Sequence, residues 1–243
     1  VGDESLSFLP MAHAAERVLA FYGRITYGIC TSFASSVPKV LDELKEVRST
    51  VFGSVPRIFE KAYARIAATV TAETGVKRQL MDWALDVGKQ VMELRAQGQA
   101  PGALLGIQHA VADKLVLSKI RERFGGRVRF FISGSAALNP EIARWFGSVG
   151  LIILEGYGLT ETSAATCVNR PSLGGYNYGT VGWAIPTTDV KLAADGEILV
   201  KGPGVMRGYR NRPDATAEVF DEDGYFRTGD IGEIDANGFV KIT

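Results

Sequence analysis

The sequence predicts an α/β fold: parallel strand–helix layers over residues 1–165, then a smaller antiparallel, barrel-like β region over residues 166–243. Through the first two-thirds, β-rich runs alternate with helical periodicity, as in a parallel sheet whose crossovers are helices. After about Thr166, glycine and proline become dense and the apolar runs shorten. Near the end, apolar runs flank Asp235-Ala236-Asn237-Gly238, a hairpin signal.

Ser5-Leu6-Ser7-Phe8-Leu9 alternates as a strand does and stops at Pro10, and residues 12–27 take helical spacing. Ser36-Val37-Pro38 opens a short, charged helix with proline in its first turn, running to Arg48. Thr50-Val51-Phe52 reads as a buried strand. Ser54-Val55-Pro56 then starts a helix carrying Ile58, Phe59, Tyr63 and Ile66, aromatics that belong to a core rather than to a cofactor. Helices follow at residues 77–96 and 104–123, parted by the breaker at residues 97–102. Residues 127–132 are β-rich and lead into Ser133-Gly134-Ser135. Asn139-Pro140 begins a helix ending near Gly147. Leu151-Ile152-Ile153-Leu154 is a buried strand, expected to stop where glycines loosen the backbone. Beyond it, residues 190–192 and 197–201 flank Asp195-Gly196, and residues 231–234 pair with 239–242.

The composition is globular: 46% hydrophobic and 22% charged. Lys+Arg and Asp+Glu both number 27, so no basic excess exists to neutralise nucleic-acid phosphates. No apolar run reaches the length of a membrane span, and no basic-then-apolar leader precedes the first element. The expected location is therefore cytoplasmic; peripheral membrane contact and oligomeric state stay open. Cys30 and Cys167 read as reduced thiols packed as small hydrophobes. With only His13 and His109 besides, a structural zinc site is close to excluded. Val1 is not a methionine and the last residues lie inside a predicted strand, so a fragment of a longer protein is expected.

Chemistry concentrates at strand ends. Glu155-Gly156-Tyr157-Gly158-Leu159-Thr160-Glu161 offers an aromatic face, a hydroxyl and two carboxylates where a strand stops, and ligands of open α/β sheets bind at that edge. Such a set suits a nucleotide: a ring for the base, oxygens for phosphate and Mg²⁺. Ser133-Gly134-Ser135-Ala136-Ala137 is a second small-residue strand end, which also suits a tight strand–helix connection. In Arg227-Thr228-Gly229-Asp230 the carboxylate suits a ribose diol, or an ordinary turn. His13 suits either contact with an anionic reacting group or a helix cap; His109 reads as a surface residue. The phosphate-loop, dinucleotide and nucleophile-elbow glycine motifs are all missing from the sequence.

Taken in order, these elements resemble the acyl-adenylating (AMP-forming) superfamily of acyl-CoA synthetases, peptide-synthetase adenylation domains and luciferases. The resemblance is carried by Tyr157-Gly158-Leu159-Thr160-Glu161-Thr162, by the segment from Glu197 through Gly208-Tyr209, Asn211 and Pro213, and by Gly224-Tyr225-Phe226-Arg227-Thr228-Gly229-Asp230. Leu6-Ser7-Phe8-Leu9-Pro10-Met11-Ala12-His13 looks like its acyl-site strand and histidine. Phe52-Gly53-Ser54-Val55-Pro56-Arg57-Ile58-Phe59-Glu60-Lys61 and the helical insert at residues 77–123 look most like bacterial long-chain fatty-acyl-CoA ligases.

The resemblance implies ATP, Mg²⁺, coenzyme A and a fatty acid as ligands, and no nucleic acid. Tyr157 would stack on adenine beside Gly134, Ser135 and Ala136. Glu155, Gly156 and Gly158 would belong to the same nucleotide-side loop, the two glycines letting the chain pass the acyl head. Thr160 would touch phosphate, Glu161 would hold Mg²⁺, Asp230 would hold ribose and His13 would sit near the acyl carboxylate. It further implies part of a large amino-terminal domain, lacking a phosphate loop before Val1 and a lysine-bearing small domain after Thr243, hence little or no ligase activity alone. Transfer to a carrier protein instead of CoA, or a non-catalytic nucleotide-binding role, are the alternative expectations.

Overall fold

A computed structural model describes residues 2–243. Strand β1 (Glu4–Ser7) leads through Pro10 into α1 (Ala14–Glu16), a π-helical stretch at Arg17–Tyr22, and α2 (Gly23–Tyr27). β2 (Cys30–Phe33) then pairs in parallel with β1. The expected single helix is therefore wound wide in its middle, and β2 follows where no strand was expected. Cys30 is exposed there rather than packed.

A 3₁₀ turn at Val37–Lys39 opens α3 (Val40–Val47), and β3 (Val51–Ser54) precedes α4 (Pro56–Thr71), with proline in the first turn of each helix. The helical insert comprises α5 (Gly75–Ala96), α6 (Ala103–Ala112), a second π-helical stretch (Asp113–Leu117) and α7 (Ser118–Arg121). β4 (Phe130–Ser133), α8 (Pro140–Ser148) and β5 (Ile152–Tyr157) follow. The Asn139 side chain accepts from the Glu141 amide at 2.8 Å, the cap that Asn-Pro announces.

β3, β4 and β5 form a parallel sheet, extended by the antiparallel β6 (Cys167–Val168) and β7 (Trp183–Ala184) in the order β3-β4-β5-β6-β7. β5 thus runs past its expected stop at Leu154, because Gly156 and Tyr157 find partners in Val168 and Cys167. The first sheet consequently crosses the expected boundary at residues 165/166. Its core is aromatic. Phe131 meets Phe59 at 5.3 Å, Phe124 at 5.6 Å and Phe146 at 6.0 Å between ring centroids, mostly edge-on, the arrangement that ring quadrupoles favour.

β8 (Asp189–Leu192), β9 (Glu197–Lys201), α9 (Pro213–Glu218), β10 (Phe226–Ile234) and β11 (Val240–Ile242) complete the chain. Their sheet is antiparallel, in the order β11-β10-β9-β8, over a small core of Cys167, Ile198, Val200 and Val240. Both expected hairpins form: Asp235 Oδ1 accepts from the Asn237 and Phe239 amides, and Gly238 takes the positive φ that the turn requires. Among the described residues no helix is long and apolar enough to cross a membrane.

Candidate nucleotide and acyl site

Ser133 at the end of β4 lies beside Glu155 of β5 in parallel register, so both following loops leave the sheet at one edge. That edge borders a cleft of about 550 Å³. Gly134 and Ser135 line it from the first loop, and Gly156, Tyr157, Gly158, Thr160 and Glu161 from the second. Leu9, His13, Val18 and Leu19 line it from the β1–α1 connection and the first π-helical stretch, and Cys167 and Val168 from β6.

The second loop is shaped by its own backbone. A Cβ on Gly158 would lie 1.7 Å from the Ala164 carbonyl oxygen, so only glycine fits. The turn is tied by the buried Thr162, whose Oγ1 accepts from the Leu159 amide at 2.9 Å and from the Thr166 hydroxyl at 2.9 Å. Thr160 is thereby left exposed at the tip and Glu161 half-buried. The Glu161 carboxylate accepts from the Tyr209 hydroxyl at 3.0 Å, and its carbonyl from the Met206 amide at 2.7 Å.

Asp230 comes from β10, where the pairing with β9 shifts register between Arg227 and Ile231. Gly229 takes a positive φ at this bulge, and its amide donates to Glu197 Oε1 at 2.9 Å. Thr228 Oγ1 donates to the Ile198 carbonyl at 2.7 Å and accepts from the Asp230 amide at 3.1 Å. So placed, Asp230 Oδ2 accepts from the Tyr157 hydroxyl at 2.6 Å. Burial, and then the Asp230 carboxylate, push the Tyr157 phenol far up, so it stays a proton donor.

His13 is exposed, lines the cleft and also caps α1: its Nδ1 accepts from the Ala15 amide at 3.2 Å. With Nδ1 accepting, Nε2 is the ring nitrogen left to donate. The capping reading of His13 therefore holds, and the same side chain borders the cleft. Behind it, the buried Glu16 accepts from the Ser7 hydroxyl, tying the helix to β1; burial raises its carboxyl.

Three sequence-predicted residues stand apart from the cleft lining. Glu155 was grouped with the ligand contacts, but it is 7% exposed and its Oε2 accepts from the Leu138 amide at 3.1 Å. It braces the first loop from within, and burial pushes its carboxyl up. Ala136 is exposed beyond the lining residues, and Asp230 reaches the site through Tyr157. His109, read as a surface residue, is half-buried at a different cavity. Sequence reasoning assigned no role to Thr162, Tyr209 or Thr228, although each falls inside a quoted motif.

The cleft also holds an orphan. Ser133 is 1% exposed, lines the cleft, and its hydroxyl has no hydrogen-bond partner. Among the described residues no group of three or more His, Cys, Asp and Glu could hold a metal ion. Glu161 is the carboxylate that lines the cleft, and Mg²⁺ in nucleotide sites takes one or two carboxylates together with phosphates and water. The donor set fits a cation that arrives with its nucleotide.

Residues 1–210 match the family model described as AMP-binding enzyme. The chain belongs to the AMP-binding enzyme family. The resemblance read from the motifs is thus borne out, and with it the α/β fold ending in an antiparallel sheet. Among members of this family, fadD11 of Mycobacterium tuberculosis strain H37Rv is 41% identical over 244 residues, covering 99% of this chain and 42% of its own length. A protein of the same strain named long-chain-fatty-acid–CoA ligase FadD15 is 38% identical, covering 100% of this chain and 39% of its own. The chain thus spans about two fifths of the length of the curated relatives it matches. A crystal structure titled as the N-terminal domain of FACL13 from Mycobacterium tuberculosis superposes with a TM-score of 0.67 at 24% identity, over 100% of this chain and 51% of that one, a likeness of fold.

Proposed function

We propose that this chain is the nucleotide- and acyl-binding part of an ATP-dependent, AMP-forming fatty-acid–CoA ligase acting on long acyl chains. The observation that carries the reading is the Tyr157–Asp230 hydrogen bond of 2.6 Å, which joins residues 73 apart in sequence and ties Asp230 to a residue that lines the cleft. It sets a ring suited to a base beside a carboxylate suited to a sugar diol, next to Thr160 and Glu161 for phosphate. The identity to FadD15, a protein named for long-chain substrates, supports the acyl class.

In this reading the fatty carboxylate oxygen attacks the α-phosphorus of ATP and pyrophosphate departs, giving an acyl adenylate. The thiol of CoA then attacks the acyl carbonyl and AMP leaves. The chain forms no covalent bond; its work is positioning and charge stabilisation. Tyr157 holds the base, with Gly134 and Ser135 leaving room at its edge, and Asp230 accepts from the ribose hydroxyls. His13, with its Nε2–H available, donates towards the acyl carboxylate, and Thr160 donates to phosphate. Glu161 would hold Mg²⁺ together with phosphate oxygens, and the cation would screen the charge of the departing pyrophosphate. Val18 and Leu19 give the acyl chain an apolar wall.

Calorimetric titration of the chain with ATP and AMP tests the site. Asp230→Ala is expected to weaken AMP binding by about 2 kcal/mol, the value of hydrogen bonds to a charged acceptor, or roughly thirty-fold in affinity. Wild-type affinity in that variant, with its fold intact, overturns the assignment. In a protein of the relatives' length, acyl-CoA formation from long-chain acids supports the reading, and transfer to a carrier protein alone overturns the CoA step.

A further inference from the structure

A second cavity, of 430 Å³, opens where β5 begins, at the opposite end of the strand from the nucleotide cleft. It lies among α5, the helix carrying the second π-helical stretch, and the turn that leads from α8 into β5. Arg95 and Lys114 border it, and neither enters an ion pair among the described residues. Arg121, by contrast, is fixed by Asp113 at 2.6 and 2.9 Å and donates to the Val149 carbonyl at 3.1 Å.

An exposed arginine and lysine would ordinarily be a solvated face. Here three further observations apply. His109 lines the same cavity, and its imidazole is held below the usual value, first by burial and then by Arg95 and Arg121 against the opposing Asp113. The ring, set among Asp113, Arg95 and Arg121, is therefore held towards its neutral form. Tyr176 also lines the cavity, is 3% exposed, and its hydroxyl has no hydrogen-bonding group near it except the Tyr178 hydroxyl. Finally, Asp113 and Lys114 sit in a π-helical stretch, an irregularity frequent at functional sites. The other π-helical stretch lines the nucleotide cleft.

We propose that this cavity binds a small phosphomonoester with an apolar or aromatic body. Two uncompensated cations match a phosphate dianion, with arginine as a planar fork and lysine as a point charge. His109 supplies a neutral N–H donor, and Met92 and Ile152 give the organic part an apolar surface. The site is joined to the cleft by β5 itself: Ile152 borders one cavity and Tyr157 the other, about 17 Å apart at strand rise.

The test is a titration of the chain with phenyl phosphate, followed by NMR and calorimetry, with adenosine, which carries no phosphate, added to occupy the first cleft and with inorganic phosphate and benzyl alcohol as parallel probes. The expected result is saturable binding of phenyl phosphate, with shifts at His109, Ile152 and Tyr176, that weakens as salt rises. Arg95→Gln combined with Lys114→Gln is expected to lower affinity by about ten-fold; both side chains are exposed, so the fold is not at risk. Absence of saturable shifts at His109 and Tyr176 overturns the proposal. So does an affinity unmoved by the double substitution, or equally tight binding of inorganic phosphate or benzyl alcohol. The shifts are read at residues outside the first cleft, so this proposal and the ligase reading fail separately.

Discussion

Tyr157 serves two demands with one side chain: its ring lines the cleft, and its hydroxyl occupies the carboxylate of Asp230. The two can be separated. Tyr157→Phe keeps the ring and is expected to cost about 1 kcal/mol in urea unfolding without weakening AMP binding, since Asp230 is released for the ligand. Tyr157→Ala is expected to weaken AMP binding markedly. If both variants bind AMP alike, the ring is not a base platform. The motif made Tyr157 legible from the sequence, but nothing local announced its partner 73 residues away. Glu155 was misread for a related reason: a carboxylate beside a glycine-rich loop looks like a ligand group until burial is known. Its raised folded-state value means that the native chain holds this proton more tightly than the unfolded chain does. That contribution is complete below the unfolded value of about 4.5 and is lost as pH rises through the folded one. Relative to Glu155→Gln, the wild type is therefore expected to lose stability as pH is raised from 4.5, measured by urea unfolding at each pH.

At the scale of elements, helices with a capping or proline start were legible, because α4 and α8 announce themselves within a few residues. The short strands were not. β2, β6 and β7 are held by partners distant in sequence rather than by their own composition, and a π-helical stretch leaves no mark on an apolar period. Packing of α5 on α8 gives a sharp test. Gly88 sits inside α5, where alanine would gain about 1 kcal/mol in helix propensity. Its Cβ would, however, lie 1.9 Å from the Ser148 carbonyl oxygen. Overpacking against backbone costs about 3 kcal/mol, so the clash wins. Gly88→Ala is expected to lower the thermal unfolding midpoint; an unchanged or raised midpoint would contradict the packing described.

At the scale of the molecule, the change of texture after Thr166 is real, but it is not a break in the sheet. β6 and β7 extend the first sheet, and Val240 of the last strand exchanges backbone hydrogen bonds with Val181 and Gly182 just before β7. The cleft therefore draws on both halves, which sequence order alone could not reveal. The register shift in β10 shows what such a joint entails. A strand that runs out of phase with its neighbour could recover ladder bonds by sliding into step, and here the Thr228 hydroxyl stands in for the bonds forgone. Thr228→Val, nearly the same shape, would remove both of that hydroxyl's hydrogen bonds. The expected variant is less stable in urea by about 2 kcal/mol, two hydrogen bonds being lost, and binds AMP more weakly, because Asp230 is no longer fixed; unchanged stability and affinity would contradict this role for Thr228. One oxygen atom thus bridges two strands where their ladder is interrupted, and the reach of Asp230 to Tyr157 hangs on it.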